Sequence, residues 1–334
     1  MAQDSPRIGV VIIGVNVERY IGDCIGSVLQ ARYPRECIEI VYVDGGSRDH
    51  SAAAARRFPG VRVIELNDVH PTPGRGRNAG WRACTADLVQ FLDADTRVDP
   101  DWFARAVPLI GGKTAAVCGM RRERFPRQNL FHTLTDLEWR FETGPCRYFG
   151  GDVLITREAL LATRGFDEEL VAGEDPELSY RVRHRGWQIL RIDAPMTTHD
   201  INMSTFGQYV RRAYRSGYAY AEIALRFMGS TERLWLREFL RITARSLAPV
   251  LFVLLGAFGR WRLLWFSAAA YALAQPLTRV SSIRGRLGAD WRTSLAYACH
   301  ATVVVFPQFA GILRYFWARI TGNRLLNKGV QAPE

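Results

Sequence analysis

Three short stretches of this sequence combine residue types that could do chemistry. Asp93-Ala94-Asp95 follows a hydrophobic run, Leu88-Val89-Gln90-Phe91-Leu92. Two carboxylates one residue apart at a strand end can share a hard divalent cation, whose remaining sites take diphosphate oxygens. Gly74-Arg75-Gly76-Arg77-Asn78-Ala79-Gly80 sets glycines and arginines ahead of a helix, where backbone N–H groups and positive charge can meet a phosphate. Gly173-Glu174-Asp175-Pro176-Glu177-Leu178 puts paired carboxylates before a helix that ends near Gly186. There Asp175 is either a cap on the helix N-terminus or a general base that takes a proton from a hydroxyl. Each stretch alone also has an ordinary structural reading: an acidic turn, a solvated basic loop, a helix cap. Order and spacing must decide.

The elements that position these residues alternate from the N-terminus. Ile8–Val15, Ile38–Val43, Val61–Leu66 and Leu88–Leu92 read as strands, and Tyr20–Ala31, Ser51–Phe58 and Arg75–Thr85 read as helices. Strands and helices at this spacing predict βαβ units and a parallel sheet, with ligands beyond the carboxyl ends of the strands. Asp44-Gly45-Gly46-Ser47 and Asp93-Ala94-Asp95 therefore open on one sheet edge. The section Arg121 to Asp200 is less regular, and Tyr209–Phe227 is helical with Arg211, Arg212 and Arg215.

Together these motifs resemble glycosyltransferase family 2, an α/β class with the GT-A fold: a nucleotide-sugar domain on a mostly parallel sheet. Val10-Val11-Ile12-Ile13 with Asn16-Val17-Glu18 is similar to the family's first strand and its asparagine–acidic turn, with Val17 where Glu is common. Asp44-Gly45-Gly46-Ser47 resembles the motif whose first Asp reads uracil, and Arg77-Asn78-Ala79-Gly80 resembles the segment near the diphosphate. Asp93-Ala94-Asp95 occupies the metal-binding D-x-D place, and Phe149-Gly150-Gly151-Asp152 resembles the loop lining the sugar and acceptor pocket. Glu174-Asp175 resembles the E-D motif, whose Asp is the catalytic base, and His199 sits where some members add a metal ligand. The resemblance thus assigns catalysis to Asp175 and Glu174, and Mg²⁺ or Mn²⁺ to Asp93, Asp95 and His199. It assigns donor binding to Asn16, Glu18, Asp44, Gly74, Arg77, Asn78, Asp93, Gly151, Asp152, Arg211 and Arg212. Gln208-Tyr209-Val210-Arg211-Arg212 falls near the Q-x-x-R-W place of processive synthases, but Arg212 replaces the Trp, so single addition is expected.

Composition changes in the last third. Of the net charge of +11, Met1–Gly229 has 30 basic and 29 acidic residues, whereas Ser230–Glu334 has 14 and 4. Leu234–Arg245 reads as a basic amphipathic helix, followed by apolar runs Leu247–Phe258, Leu263–Leu277 and Leu295–Trp317, with Arg260-Trp261-Arg262 between the first two. Basic residues flanking apolar runs point to anionic lipid rather than nucleic acid. The expected division is a catalytic domain over 1–229 and, over 230–330, an interface helix with two to three membrane helices. Six dispersed cysteines without a C-x-x-C pair argue against a zinc site or a disulfide framework and fit a reducing compartment. Ile8–Val15 is a short apolar run that follows Asp4 and Arg7 with no small-residue cleavage site, so it reads as a buried strand rather than a signal peptide.

The expected activity is inverting transfer from a nucleotide sugar, a UDP-sugar first, to a hydroxyl of a lipid-linked or polysaccharide-precursor acceptor. The expected place is the inner membrane, with the site on the cytoplasmic side. Three alternatives stay open. A polyprenyl-phosphate glycosyltransferase would share the catalytic fold, a sugar nucleotidyltransferase would share the sheet, and a non-catalytic membrane module would tolerate loss of Asp175.

Overall fold

Seven consecutive residues of β1, Ile8–Gly14, are apolar or glycine, and Ile8, Val10, Val11 and Ile12 are fully buried. A strand with no polar face belongs in the middle of a covered sheet. The computed structural model, which describes residues 5–66, 71–258, 263–323 and 325, places it there. β1 pairs in parallel with β2, Ile38–Asp44, on one side and with β4, Leu88–Asp93, on the other, while β3, Val61–Glu65, adds in parallel to β2. Helices α1, Glu18–Leu29, α2, Ser51–Arg56, and α3, Pro73–Ala83, connect them. Register sets Gly14 beside Asp44 and Ile13 beside Asp93, so the two acidic turns do open on one sheet edge.

Beyond β4 the sheet stops being parallel. The chain continues through β5, Thr96–Val98, α4, Trp102–Ala106, β6, Thr114–Glu123, α5, Leu130–Glu138, and β7, Gly144–Pro145. Then follow β8, Val153–Thr156, α6, Arg157–Thr163, α7, Glu174–His184, and β9, Gln188–His199. The order is β3-β2-β1-β4-β8-β6-β9-β5, with β7 also on β9. β8 is antiparallel to β4 and β6, β6 and β9 are parallel, and β5 and β7 are antiparallel to β9. The sheet is thus mixed rather than mostly parallel. The section from Arg121 to Asp200 is more regular than its composition suggests, because its strands pair over long sequence distances and leave no local signal.

The glycines of the 74–80 stretch lie inside α3 and not before it. Thr72 caps that helix by accepting from Arg75 N at 3.2 Å, and Pro73 starts it. Any Cβ on Gly80 would strike Val11, and one on Gly74 would strike the Asp167 carbonyl. These glycines serve close helix packing.

The chain forms two compact units. The first comprises the described residues up to Phe125 and Trp139–Ile201; the second comprises Pro126–Glu138 and the described residues from Asn202 to Leu325. Within the second, α8, Phe206–Arg226, packs on α12, Val305–Thr321, rather than standing with the N-terminal part as a boundary at 229 implies. Gly217 meets the backbone of Gln308, and Gly311 meets the backbone of Tyr214 and Tyr218. The amphipathic and first apolar stretches form one helix, α9, Leu236–Phe258, with Pro249 inside. α10, Leu263–Leu287, and α11, Trp291–Val303, follow. Two to three spans were expected. Among the described residues, one helical stretch, α11 and α12 run together over Trp291–Thr321, is long and apolar enough to cross a membrane, reaching a mean hydropathy of 1.4. The Arg260-Trp261-Arg262 interruption and residues 326–330 lie outside the described residues.

Candidate active site

Asp93 is the last residue of β4, and the turn through Ala94 and Asp95 leads into β5. β5 pairs antiparallel with the end of β9, Thr96 opposite His199. This brings His199 Nε2 to 2.9 Å from Asp95 Oδ1. Ligand atoms of Asp93, Asp95 and His199 lie within 4.8 Å of one another.

From α3, Arg77 reaches across to both acidic motifs. Its NH1 donates to Glu174 Oε1 at 2.6 Å and lies 3.5 Å from Asp175 Oδ1, and its NH2 donates to Asp93 Oδ1 at 3.0 Å. The guanidinium is buried and faces the Phe166 ring at 5.3 Å. Gly151 is needed here: a Cβ would stand 2.7 Å from Asp93 Oδ2 and 2.9 Å from Arg77 NH2. Asp152, beside it, accepts from Thr197 Oγ1 at 2.6 Å and from Asp93 N at 3.3 Å.

A second arginine completes the centre, and no motif announced it. Arg121 on β6 donates through Nε to Asp152 Oδ2 at 2.9 Å and through NH2 to Asp93 Oδ2 at 3.2 Å. Its position follows from the β6–β9 register, which pairs Arg121 with Thr197. Trp139 lies under the same guanidinium, 5.2 Å from the ring centroid, and against His199. Sequence carried a weak sign of Arg121 at most: a buried Asp152 needs a partner.

Five carboxylates (Asp93, Asp95, Asp152, Glu174, Asp175) thus face two guanidiniums and one imidazole. Burial opposes ionisation of Asp93, but Arg77 and Arg121 outweigh it and hold the carboxyl below the ordinary range. At Asp175 burial prevails, aided by the Glu174 and Asp93 charges, and pushes the carboxyl up to about 8 against the pull of Arg77 and Arg121. The surplus of negative charge, with two carboxylates and an imidazole converging, is a donor set suited to Mg²⁺ or Mn²⁺. Asp93, Asp95 and His199 fit such an ion.

The other sequence candidates are placed as follows. Asp44 is 2% exposed and accepts from Tyr42 Oη, Ser47 Oγ and the N–H groups of Gly46 and Ser47, so its carboxylate shapes its own turn. Asn16, at φ 55°, accepts from Arg48 N at 2.8 Å, and Glu18 accepts from His50 N at 3.3 Å; both tie the first turn to the second. Asn78 is buried and clamps the 166–168 loop: its amide donates to Phe166 O and Glu168 Oε1 and accepts from Phe166 N and Trp81 Nε1. Glu174 and Asp175 start α7 behind Gly173, which holds φ 91° at the cap position, so Asp175 is not the cap. Arg211 and Arg212 belong to the second unit, where Arg212 donates to Thr135 Oγ1 at 2.8 Å and lies 3.5 Å from Glu138 Oε2.

Comparison with known proteins gives the family and the fold. The description "Glycosyl transferase family 2" matches residues 9–166, and "Glycosyl transferase family group 2" matches residues 88–312. EpsH of Bacillus subtilis is 24% identical over 249 residues, 69% of this chain and 72% of EpsH. The glycosyltransferase AglE of Haloferax volcanii is 22% identical over 232 residues, 67% of this chain and 76% of AglE. In structure, the chain is similar to the mannosyltransferase PcManGT from Pyrobaculum calidifontis, solved with GDP-Man and Mn²⁺. Its TM-score is 0.67 at 20% identity, covering 94% of this chain and 88% of that one. It is also similar to S. aureus TarS 1–349 in complex with UDP-GlcNAc, with TM-score 0.56, 16% identity and 97% of each chain covered. The fold is GT-A, the activity class is glycosyl transfer, and the chain belongs to glycosyl transferase family group 2.

Proposed function

We propose that this chain transfers a sugar with inversion from a nucleotide-sugar donor to a hydroxyl of a lipid-linked or polysaccharide-precursor acceptor, one sugar per encounter, at a membrane. One observation carries this reading: a single buried side chain, Arg77, touches Asp93 of the D-x-D pair and stands 3.5 Å from Asp175. The leaving-group site and a candidate base are thus one guanidinium apart.

Asp175 takes the acceptor hydroxyl's proton. The acceptor oxygen then bonds to the anomeric carbon from the face opposite the leaving group, and the carbon–oxygen bond to the diphosphate breaks, its electron pair leaving with the nucleoside diphosphate. Arg77 holds Asp93 and Glu174 in place, and Arg121 holds Asp93 and Asp152. Asp93, Asp95 and His199 would hold a divalent cation, which would supply charge neutralisation for the departing diphosphate.

The second unit supports a membrane acceptor. α9 turns Leu247, Val250, Leu251, Val253, Leu254 and Leu255 outward, and on α12 Trp317 and Ile320 are exposed. Outward apolar surface of this extent, with Arg237, Arg241 and Arg245 on the same helix, suits anionic lipid. The inner membrane, with the site facing the cytosol where nucleotide sugars are made, is the location we propose.

The test is a donor screen on the full chain in native membranes that measures released nucleoside diphosphate and sugar in the lipid fraction, UDP-sugars first and GDP-sugars second. Membrane-dependent release with sugar recovered on lipid is expected. Transfer to a monophosphorylated polyprenol alone would replace the hydroxyl acceptor with phosphate, and no release from any donor would overturn the reading.

A further inference from the structure

The His199 ring is held by less than a metal ligand ordinarily has. Its Nε2 faces Asp95, but its Nδ1 is buried and has no hydrogen-bond partner among the described residues. Metal-binding histidines usually have that second nitrogen fixed by a carboxylate, a carbonyl or water, which sets the ring and its tautomer. The backbone is well fixed: His199 pairs with Thr96 and with Glu123, and its carbonyl accepts from Arg124 N at 2.9 Å. Those bonds leave the ring torsion open, because χ2 of histidine is broad and roughly two-fold.

Trp139 packs against this ring instead. Its ring meets the His199 ring nearly at right angles, with centroids 5.1 Å apart and an interplanar angle of 87°. Aromatic rings prefer that edge-to-face geometry, so it resists rotation. The same indole carries the Arg121 guanidinium over its face, 5.2 Å from the centroid. Arg121 in turn reaches Asp93 and Asp152. A single half-buried side chain, one residue past α5 and outside every motif, therefore touches the imidazole next to Asp95 and the arginine that grips Asp93.

We propose that Trp139 is a positioning residue for the divalent-cation site: its indole stands in for a hydrogen bond at His199 Nδ1 and orients His199 and Arg121 together. This rests on the reading of Asp93, Asp95 and His199 as cation ligands. Mn²⁺ binding to the full-length protein in detergent, without donor, is followed by the electron paramagnetic resonance signal of free Mn²⁺. Trp139→Leu keeps much of the volume but no aromatic ring, and should bind Mn²⁺ about 10–100-fold more weakly, the usual cost of losing a group that orients a ligand. Trp139→Phe keeps an edge-to-face partner and should bind nearly as tightly as the wild type. A general packing defect would instead lower thermal stability in both variants and give no rescue by Phe.

Wild-type affinity in Trp139→Leu, or equal losses in Leu and Phe, overturns the proposal. Asp95→Ala separates the two levels. If it too binds Mn²⁺ like the wild type, the cation reading fails and the role of Trp139 fails with it; if it loses binding while Trp139→Leu keeps it, only the Trp139 assignment falls.

Discussion

The first unit gathers charge inward around Asp93, Arg77, Arg121 and Glu174, whereas the second turns apolar side chains outward along α9 and α12. Buried charges need counter-charges already in place, because water cannot follow them inside. The first unit therefore surrounds each carboxylate with donors drawn from distant strands, and a change of one atom there disturbs several pairs. Outward leucines need no partner atom at a fixed distance; they need a phase other than water. The second unit also holds an internal polar chain, in which Tyr209 Oη meets His300 Nδ1 at 2.8 Å and His300 Nε2 meets Glu138 Oε1 at 3.0 Å. One region is thus built for a particular geometry, and the other, on the membrane reading proposed above, for a particular medium.

If that contrast holds, the largest effects belong to the charged centre. Asp175→Asn should retain donor affinity and lose transfer rate by roughly 10²–10⁴, the range of a general-base contribution. Single-turnover transfer beside donor binding checks it, and near-normal transfer would return Asp175 to a structural role. Burial raises this carboxyl to about 8, so its proton-accepting form grows as pH rises. The wild-type rate should climb with pH up to about that value, and the climb should vanish in Asp175→Asn.

Gly151→Ala comes next. The added methyl displaces Asp93 or Arg77, and a misplacement near 1 Å is worth on the order of 10² in rate. Fold should survive, as shown by an unchanged circular dichroism spectrum. An active Gly151→Ala enzyme would mean that the centre tolerates more than its packing implies.

The smallest effect on chemistry is expected from the outward face. Leu251→Glu combined with Leu254→Glu should leave donor binding in detergent unchanged. Each charge placed in hydrocarbon costs a few kcal/mol, about 2.5–3.5 at the centre of a bilayer. Carbonate-washed membranes should then lose the variant that they retain as wild type. Retention of both would break the contrast between the two units.

Much of this was legible beforehand. The alternation of β1 to β4 with α1 to α3 followed from hydrophobic period, since a strand buried on both faces and a helix buried on one leave different local patterns. Asp93, Asp95, Asp175 and Gly151 could be singled out through the family resemblance, because each motif is a turn or helix start whose residues are close in sequence; that Arg77 brings three of these motifs together is seen only in the structure. Arg121 and Trp139 were not legible, nor was the second half of the sheet. Arg121 reaches Asp93 only through β6 pairing with β8 and β9, residues some forty to eighty positions away, and no local pattern encodes such a register. The same holds for α8: its helical stretch was legible, but its capping box at Thr205 and Gln208 and its partner, α12, met where Gly217 and Gly311 touch the opposite backbone, came with the structure. Sequence by itself determined the chemistry available and the elements that carry it. Tertiary structure decided which charges share a guanidinium, because burial and strand register, not adjacency, choose the neighbours of a side chain.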